Sequence, residues 1–295
     1  MKRCNITLTA WQKKYQRIIA SREIDDSTRL EKRRYAKALV KIIGGRKQLK
    51  KVRPLHIARA IRALWNSGRQ IAARRMLVVA RDLFGEAVIN GYLPQNPARH
   101  VKPLSCRVRR ARLSFTAWQK IQAALECEKQ PWRRQLALLA LVSGQRRSDL
   151  VRMRFADVWN GHLHIEQAKT GARIALPLKL RLNAINMSLA EVIARCRAYA
   201  PFGDTLLRKS TGGALSASSL TLAFTRARAG LFFSWEKDRD APSLQETRSL
   251  SERLYSAQGI DTRTLLGHRR QATTDLYHDD RGLARAEGQW RTLEI

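Results

Sequence analysis

Acidic residues are scarce in this chain of 295 residues: 24 Asp and Glu stand against 57 Lys and Arg, a formal net charge of +33. No Asp or Glu occurs between Glu31 and Asp82, nor between Glu86 and Glu126. Solubility alone needs no such excess, so a polyanionic partner is expected, with DNA or RNA ahead of a membrane surface. Cysteine is scarce too. Cys4, Cys106, Cys127 and Cys196 lie far apart and form no CxxC pair, so neither a zinc site nor a disulfide framework is indicated, and a reducing cytoplasm fits. No apolar run approaches the ~18 to 20 residues that span a bilayer, and the N-terminus lacks the apolar core of a signal peptide. A cytoplasmic protein without a membrane partner is expected. The sequence also lacks a GxxxxGK[ST] phosphate loop and any carboxylate cluster at metal-ligand spacing, so no ATP, metal or other cofactor is expected. Internal repeats and low-complexity segments are absent.

What is present suits two domains. Leu8, Trp11, Tyr15 and Ile18 recur at helical spacing up to Arg22, a stripe read as core. A second helix starts near Asp26 and Ser27 and stops at Gly44-Gly45. A third opens with Pro54 and runs to about Trp65, and a fourth covers about Gln70 to Asn90 before Gly91. These helices make a basic module over residues 1–103. Prolines and the cluster Arg107, Arg109, Arg110 and Arg112 then mark residues 104–112 as a linker lying along nucleic acid, its arginines candidate DNA-binding residues. From 113 to 281 a second domain begins with helical patterning through Trp118 and Leu125 and an apolar helix that stops at Gly144. His162 to Gln167 and Arg173 to Leu178 alternate like two strands around a hairpin tip at Lys169-Thr170-Gly171. His162 and His164 share a strand face without a third ligand and are read as surface residues.

Phosphoryl transfer needs a nucleophile, cations on the non-bridging oxygens and a proton donor for the leaving oxygen. The second domain supplies all three in five ordered segments: Ser143 to Leu150 around Arg146, Glu166 to Gly171 around Lys169, Glu246 to Leu250 around Arg248, Leu265-Leu266-Gly267-His268, and Tyr277 to Gly282. In order and spacing these resemble the tyrosine recombinases, and among them the lambda-type phage integrases, over nearly the whole chain.

The resemblance implies a mainly α protein with a mixed α/β catalytic domain. It also implies a two-domain C-shaped DNA clamp, made of a SAM-like helical core-binding domain and a tyrosine recombinase catalytic domain. It implies that Arg146 and Arg248 clamp the scissile phosphate, that Lys169 protonates the leaving 5′-hydroxyl, and that His268 is a hydrogen-bonding or proton-transfer group. Tyr277, nine positions beyond His268, would attack phosphorus and form a 3′-phosphotyrosyl link. Phenol has an ordinary pKa of ~10 and needs such cations or a base to act near neutral pH. The family usually has histidine three positions before the second arginine; here Gln245 stands there, able to donate a hydrogen bond but not to exchange a proton. Reduced cleavage is expected. Asp149 reads equally as a partner that orients Arg146 and as a helix-start residue.

The resemblance further implies a homo-tetramer on double-stranded DNA attachment or recombination sites, with DNA-bending accessory proteins as further partners. The protein would work in the bacterial cytoplasm, associated with the nucleoid, for integration or excision of a phage or mobile element. Residues 282–295 resemble a tail that packs on a neighbouring protomer. The arm-binding domain with which lambda-type integrases begin has no counterpart before the first helix, so a simpler or truncated recombinase is expected. Two other readings share the pattern: a catalytically weakened, site-specific DNA-binding regulator, and a type IB topoisomerase.

Overall fold

Thr7 caps the first helix, its Oγ1 accepting from Ala10 N at 3.2 Å in the computed structural model, which describes residues 6–105, 110–200, 202–231 and 239–281. Helix α1 (Leu8–Ala20) presents Leu8, Trp11, Tyr15 and Ile19 inward at i, i+3, i+4 spacing. Helices α2 (Asp26–Ile43), α3 (Pro54–Asn66) and α4 (Gln70–Ile89) follow, with Pro54 opening α3, where a missing N–H costs nothing. Their buried faces, with Leu39, Ile57, Ile61, Met76 and Phe84, form one apolar core with α1. Trp11 Nε1 donates to Leu83 O at 3.0 Å, so the indole is packed and satisfied. At the edge of this core Asp82 accepts from Tyr15 Oη, Arg22 and Lys32.

The chain divides into two units, residues 1–108 and 109–295. The second begins with α5 (Phe115–Glu126), capped by Ser114, and α6 (Pro131–Ser143). Nine consecutive residues of α6, Gln135 to Ser143, are buried, which makes it the central helix of this unit. The short α7 (Arg147–Leu150) leads to a three-stranded antiparallel sheet, β1 (Val158–Trp159), β2 (His162–Glu166) and β3 (Arg173–Pro177), in that order. The register pairs His162 with Pro177 and Glu166 with Arg173, which leaves 167–172 as the hairpin loop. A second pair, β4 (Arg181–Leu182) and β5 (Met187–Ser188), precedes α8 (Leu189–Ala198) and α9 (Ala217–Ala229). Helices α10 (Gln245–Ser256), α11 (Thr262–Leu266) and α12 (Gln271–His278) complete it. Among the described residues no helix is long and apolar enough to cross a membrane.

The sequence reading of 104–112 as one exposed basic linker needs correction at its end. Ala111 and Arg112 are buried in the second unit, where Ala111 N donates to Asp240 O at 2.8 Å. Arg112 is 5% exposed and its Nη1 donates to Glu246 Oε2 at 2.9 Å, so it is no candidate for a DNA phosphate. The cause is a buried carboxylate and free helix-end carbonyls, which compete for the guanidinium more strongly than solvent does. Arg110 is exposed; Arg107 and Arg109 lie outside the described residues.

Candidate active site

Helix α6 ends because Gly144 adopts φ +64, a left-handed turn that a side chain disfavours. A Cβ there would also lie 2.9 Å from Ser251 Oγ and 3.2 Å from Leu266 Cδ2, so glycine lets α10 and α11 approach. The chain then extends through Arg146, the residue before α7, and this projects its half-buried side chain. Helix α11 ends in the same way at Gly267, φ +61, against Gln167.

Arg248 on α10 is 1% exposed. Its Nη1 donates to Gly144 O at 2.8 Å and lies 3.5 Å from Gln145 Oε1, while its Nη2 donates to Leu266 O at 2.5 Å and to His268 Nε2 at 3.0 Å. Two helix C-termini thus turn carbonyls toward one buried cation, an arrangement favoured by the helix dipole. Burial, and then the nearby Arg146, lower the Arg248 pKa. Burial, then the charges of Arg248 and Arg146, push His268 down to about 4. His268 is therefore neutral near pH 7. Since Arg248 donates to Nε2, the imidazole proton sits on Nδ1 and is donated to Thr274 Oγ1 at 3.0 Å.

Tyr277 on α12 closes the group. Its Oη accepts from Gln245 Nε2 at 3.4 Å, its ring centroid lies 5.2 Å from that of His268, and the Arg248 guanidinium lies 5.4 Å from it. Gln245 takes its place because it opens α10, one turn before Arg248.

Arg146 enters through Gln167, whose Oε1 accepts from Arg146 Nη1 at 2.6 Å and from Thr170 Oγ1 at 2.9 Å. Gln167 Nε2 donates to Gln145 Oε1 at 2.8 Å and Leu266 O at 3.0 Å. This buried amide joins the first arginine, the α11 terminus and the hairpin loop. Lys169, two residues on, is exposed on that loop and makes no hydrogen bond to the others among the described residues. Asp149, read as a partner of Arg146 or as a helix-start residue, lies in the first turn of α7 and also accepts from Ala168 N at 2.9 Å, which anchors the loop beside Lys169.

Gln145 and Gln167 were not singled out in the sequence. Gln167 carried a signal: alternation from Leu163 and Ile165, both buried, puts it on the inner face of its strand. His162 and His164 lie elsewhere, His164 stacked on Trp159 with ring centroids 3.4 Å apart.

Known proteins share this chain and its fold. Residues 112–282 match the model of the phage integrase family. The integrase of Enterobacteria phage P21 is 38% identical over 292 residues, 95% of this chain and 76% of that protein. A fragment of lambda integrase, solved as a dimer bound to a COC′ core site, superposes with a TM-score of 0.90 at 32% identity, over 98% of this chain and all of that fragment. A lambda integrase tetramer bound to a Holliday junction gives 0.91 at 31% identity, over 99% of this chain and 81% of that one. The buried arginine, its histidine and the adjoining tyrosine therefore sit in a chain that belongs to the phage integrase family, the site-specific tyrosine recombinases.

Proposed function

We propose that Tyr277 is the nucleophile of a DNA strand-transfer reaction carried out by the second unit. The observation that carries this is the placing of Tyr277 Oη on Gln245, at the start of the helix whose Arg248 lies against the same ring. The phenolic oxygen attacks a backbone phosphorus, the P–O5′ bond breaks, and the Lys169 ammonium gives a proton to the departing 5′ oxygen. The product is a 3′-phosphotyrosyl link, which a second 5′-hydroxyl reverses on a new strand. Arg146 and Arg248 stabilise the charge that builds on the non-bridging oxygens. His268, neutral in the free protein, holds Arg248 through Nε2 beside the Tyr277 ring; when that guanidinium turns to the arriving phosphate, Nε2 is freed to take the phenolic proton, and the anion raises the imidazole pKa. Gln245 donates to the phenolate and exchanges no proton.

The exposed Arg110, with Arg107 and Arg109, would contact the DNA backbone, a salt-dependent and sequence-independent contribution. By extension from the lambda integrase assemblies, four copies act on paired double-stranded sites in the bacterial cytoplasm, at the nucleoid and with DNA-bending accessory proteins. Integration or excision of the encoding element is the task this fits; the tail of residues 282–295 lies outside the described residues.

The test is trapping on a nicked duplex built from DNA flanking the coding sequence. A covalent adduct is expected from the parent and at least ~1,000-fold less from Tyr277→Phe, which lacks the attacking oxygen. Tight binding with no adduct from either protein would instead favour the DNA-binding regulator that Gln245 allows.

A further inference from the structure

Helix α12 has very little apolar anchorage. Of its eight residues Thr274 alone is buried, Leu276 is exposed, and two helical turns are not stable by themselves. Tyr277 packs half-buried against the core and Thr274 is bonded to His268, and the C-terminal turn, whose last carbonyls lack helical partners, is held by further polar contacts. Arg112 supplies two of these: Nη2 donates to Leu276 O, and Nε donates to Asp279 O at 2.7 Å. Between them Ser249 Oγ donates to Tyr277 O at 2.6 Å. The third guanidinium nitrogen, Nη1, is paired with Glu246, which follows Gln245 on α10. Arg281 Nη1 lies 3.5 Å from the other oxygen of that carboxylate.

We infer that Arg112 is a positioning residue for the nucleophile. Its planar fork grips the main chain on both sides of Tyr277 and registers it, through Glu246, against the helix that carries Gln245 and Arg248. The inference rests on the reading of Tyr277 as nucleophile. A cation at a helix C-terminus is favourable in itself, but a point charge would serve that purpose. Spanning two carbonyls three residues apart while pairing with a carboxylate needs the three nitrogens of arginine in fixed geometry. Arg112 and Glu246 stand 134 positions apart and are both nearly inaccessible, so the contact locks the front of the catalytic unit to its end.

The variants are Arg112→Lys, which keeps the charge beside Glu246 but cannot span both carbonyls, and the pair Arg112→Met with Glu246→Gln, which removes both charges of the buried contact together. Two measurements apply. One is the rate of adduct formation on the nicked duplex at saturating DNA, together with the affinity. The other is amide hydrogen exchange in the free full chain. For both variants we expect an adduct rate at least tenfold lower with affinity within twofold of the parent. Exchange at residues 274–279 should be at least tenfold faster, while α6 and the middle of α10 keep their protection. Adduct formation within twofold of the parent would overturn the inference, as would exchange rising equally in α6, α10 and α12. If the parent itself forms no Tyr277-dependent adduct, the nucleophile reading fails, and the exchange pattern, which needs no DNA, still decides whether Arg112 holds α12.

Discussion

The two units have very different interiors. Among the described residues of the first, Gln12 is the one buried polar side chain, and the ionic cluster around Asp82 sits at the rim, with Asp82 about a quarter exposed. The second buries a run of polar groups along a single helix: Glu246, Thr247, Arg248, Ser249, Ser251 and Glu252 are all inside. Burying one unpaired charge costs several kcal/mol, so a helix of this composition is held inside only by its partners. The first unit is stabilised by apolar area and carries its charge outside, where it can meet DNA. The second has an apolar core of its own around α6 and adds to it polar groups fixed in advance of the reaction, as electrostatic catalysis requires.

If the contrast holds, damage to the two units should look different. Trp11→Ala removes the largest side chain of the first core and its bond to Leu83 O, and should destabilise that unit by about 3–5 kcal/mol. Amide exchange should rise across α1 to α4 with little change in α6; a rise in both units together would mean that they do not unfold separately. Arg248→Lys keeps a charge but cannot reach Gly144 O, Leu266 O and His268 at once. Adduct formation should fall roughly 100- to 1,000-fold, and a loss below tenfold would remove Arg248 from the centre of the site.

His268 sharpens the contrast through pH. Its pKa is lowered on folding, from 6.5 to about 4, so the folded protein keeps it neutral where the unfolded chain binds a proton. The stability contribution is complete above the unfolded value and is lost as pH falls through the folded one. The parent should lose roughly 2 kcal/mol more than His268→Asn between about pH 7 and about pH 5, read from urea midpoints, and parallel curves would show that the imidazole is not held neutral. The smallest expected effect is that of Gln245→His. A proton-exchanging group on Tyr277 Oη should raise the adduct rate up to about tenfold, and an unchanged or lower rate would show that proton exchange there is not limiting.

Much of this was legible in the sequence because the signals are local. Pro54 and the glycines after α2 and α4 mark the helices of the first unit, whose observed limits fall within two residues of those read from the pattern. The spacing of Arg146, Arg248, His268 and Tyr277 announced a site that the fold then gathers. Strands β1, β4 and β5 were not legible, since two residues carry no alternation. Nor was Arg112, one arginine among many, whose carboxylate lies on a distant helix. Charge density suggested DNA, but burial decided otherwise.

Gly144 O, Gln145 Oε1, Leu266 O and His268 Nε2, which accept from Arg248, are all neutral. Dipoles hold the cation in place without cancelling it, whereas a carboxylate in the same role would have screened its field. The site therefore presents a positive charge that its partners leave uncancelled. Tetrahedral oxyanions such as sulfate and vanadate should occupy it in the absence of nucleic acid, displace the DNA competitively, and raise the melting temperature of the catalytic unit while leaving that of the four-helix unit unmoved.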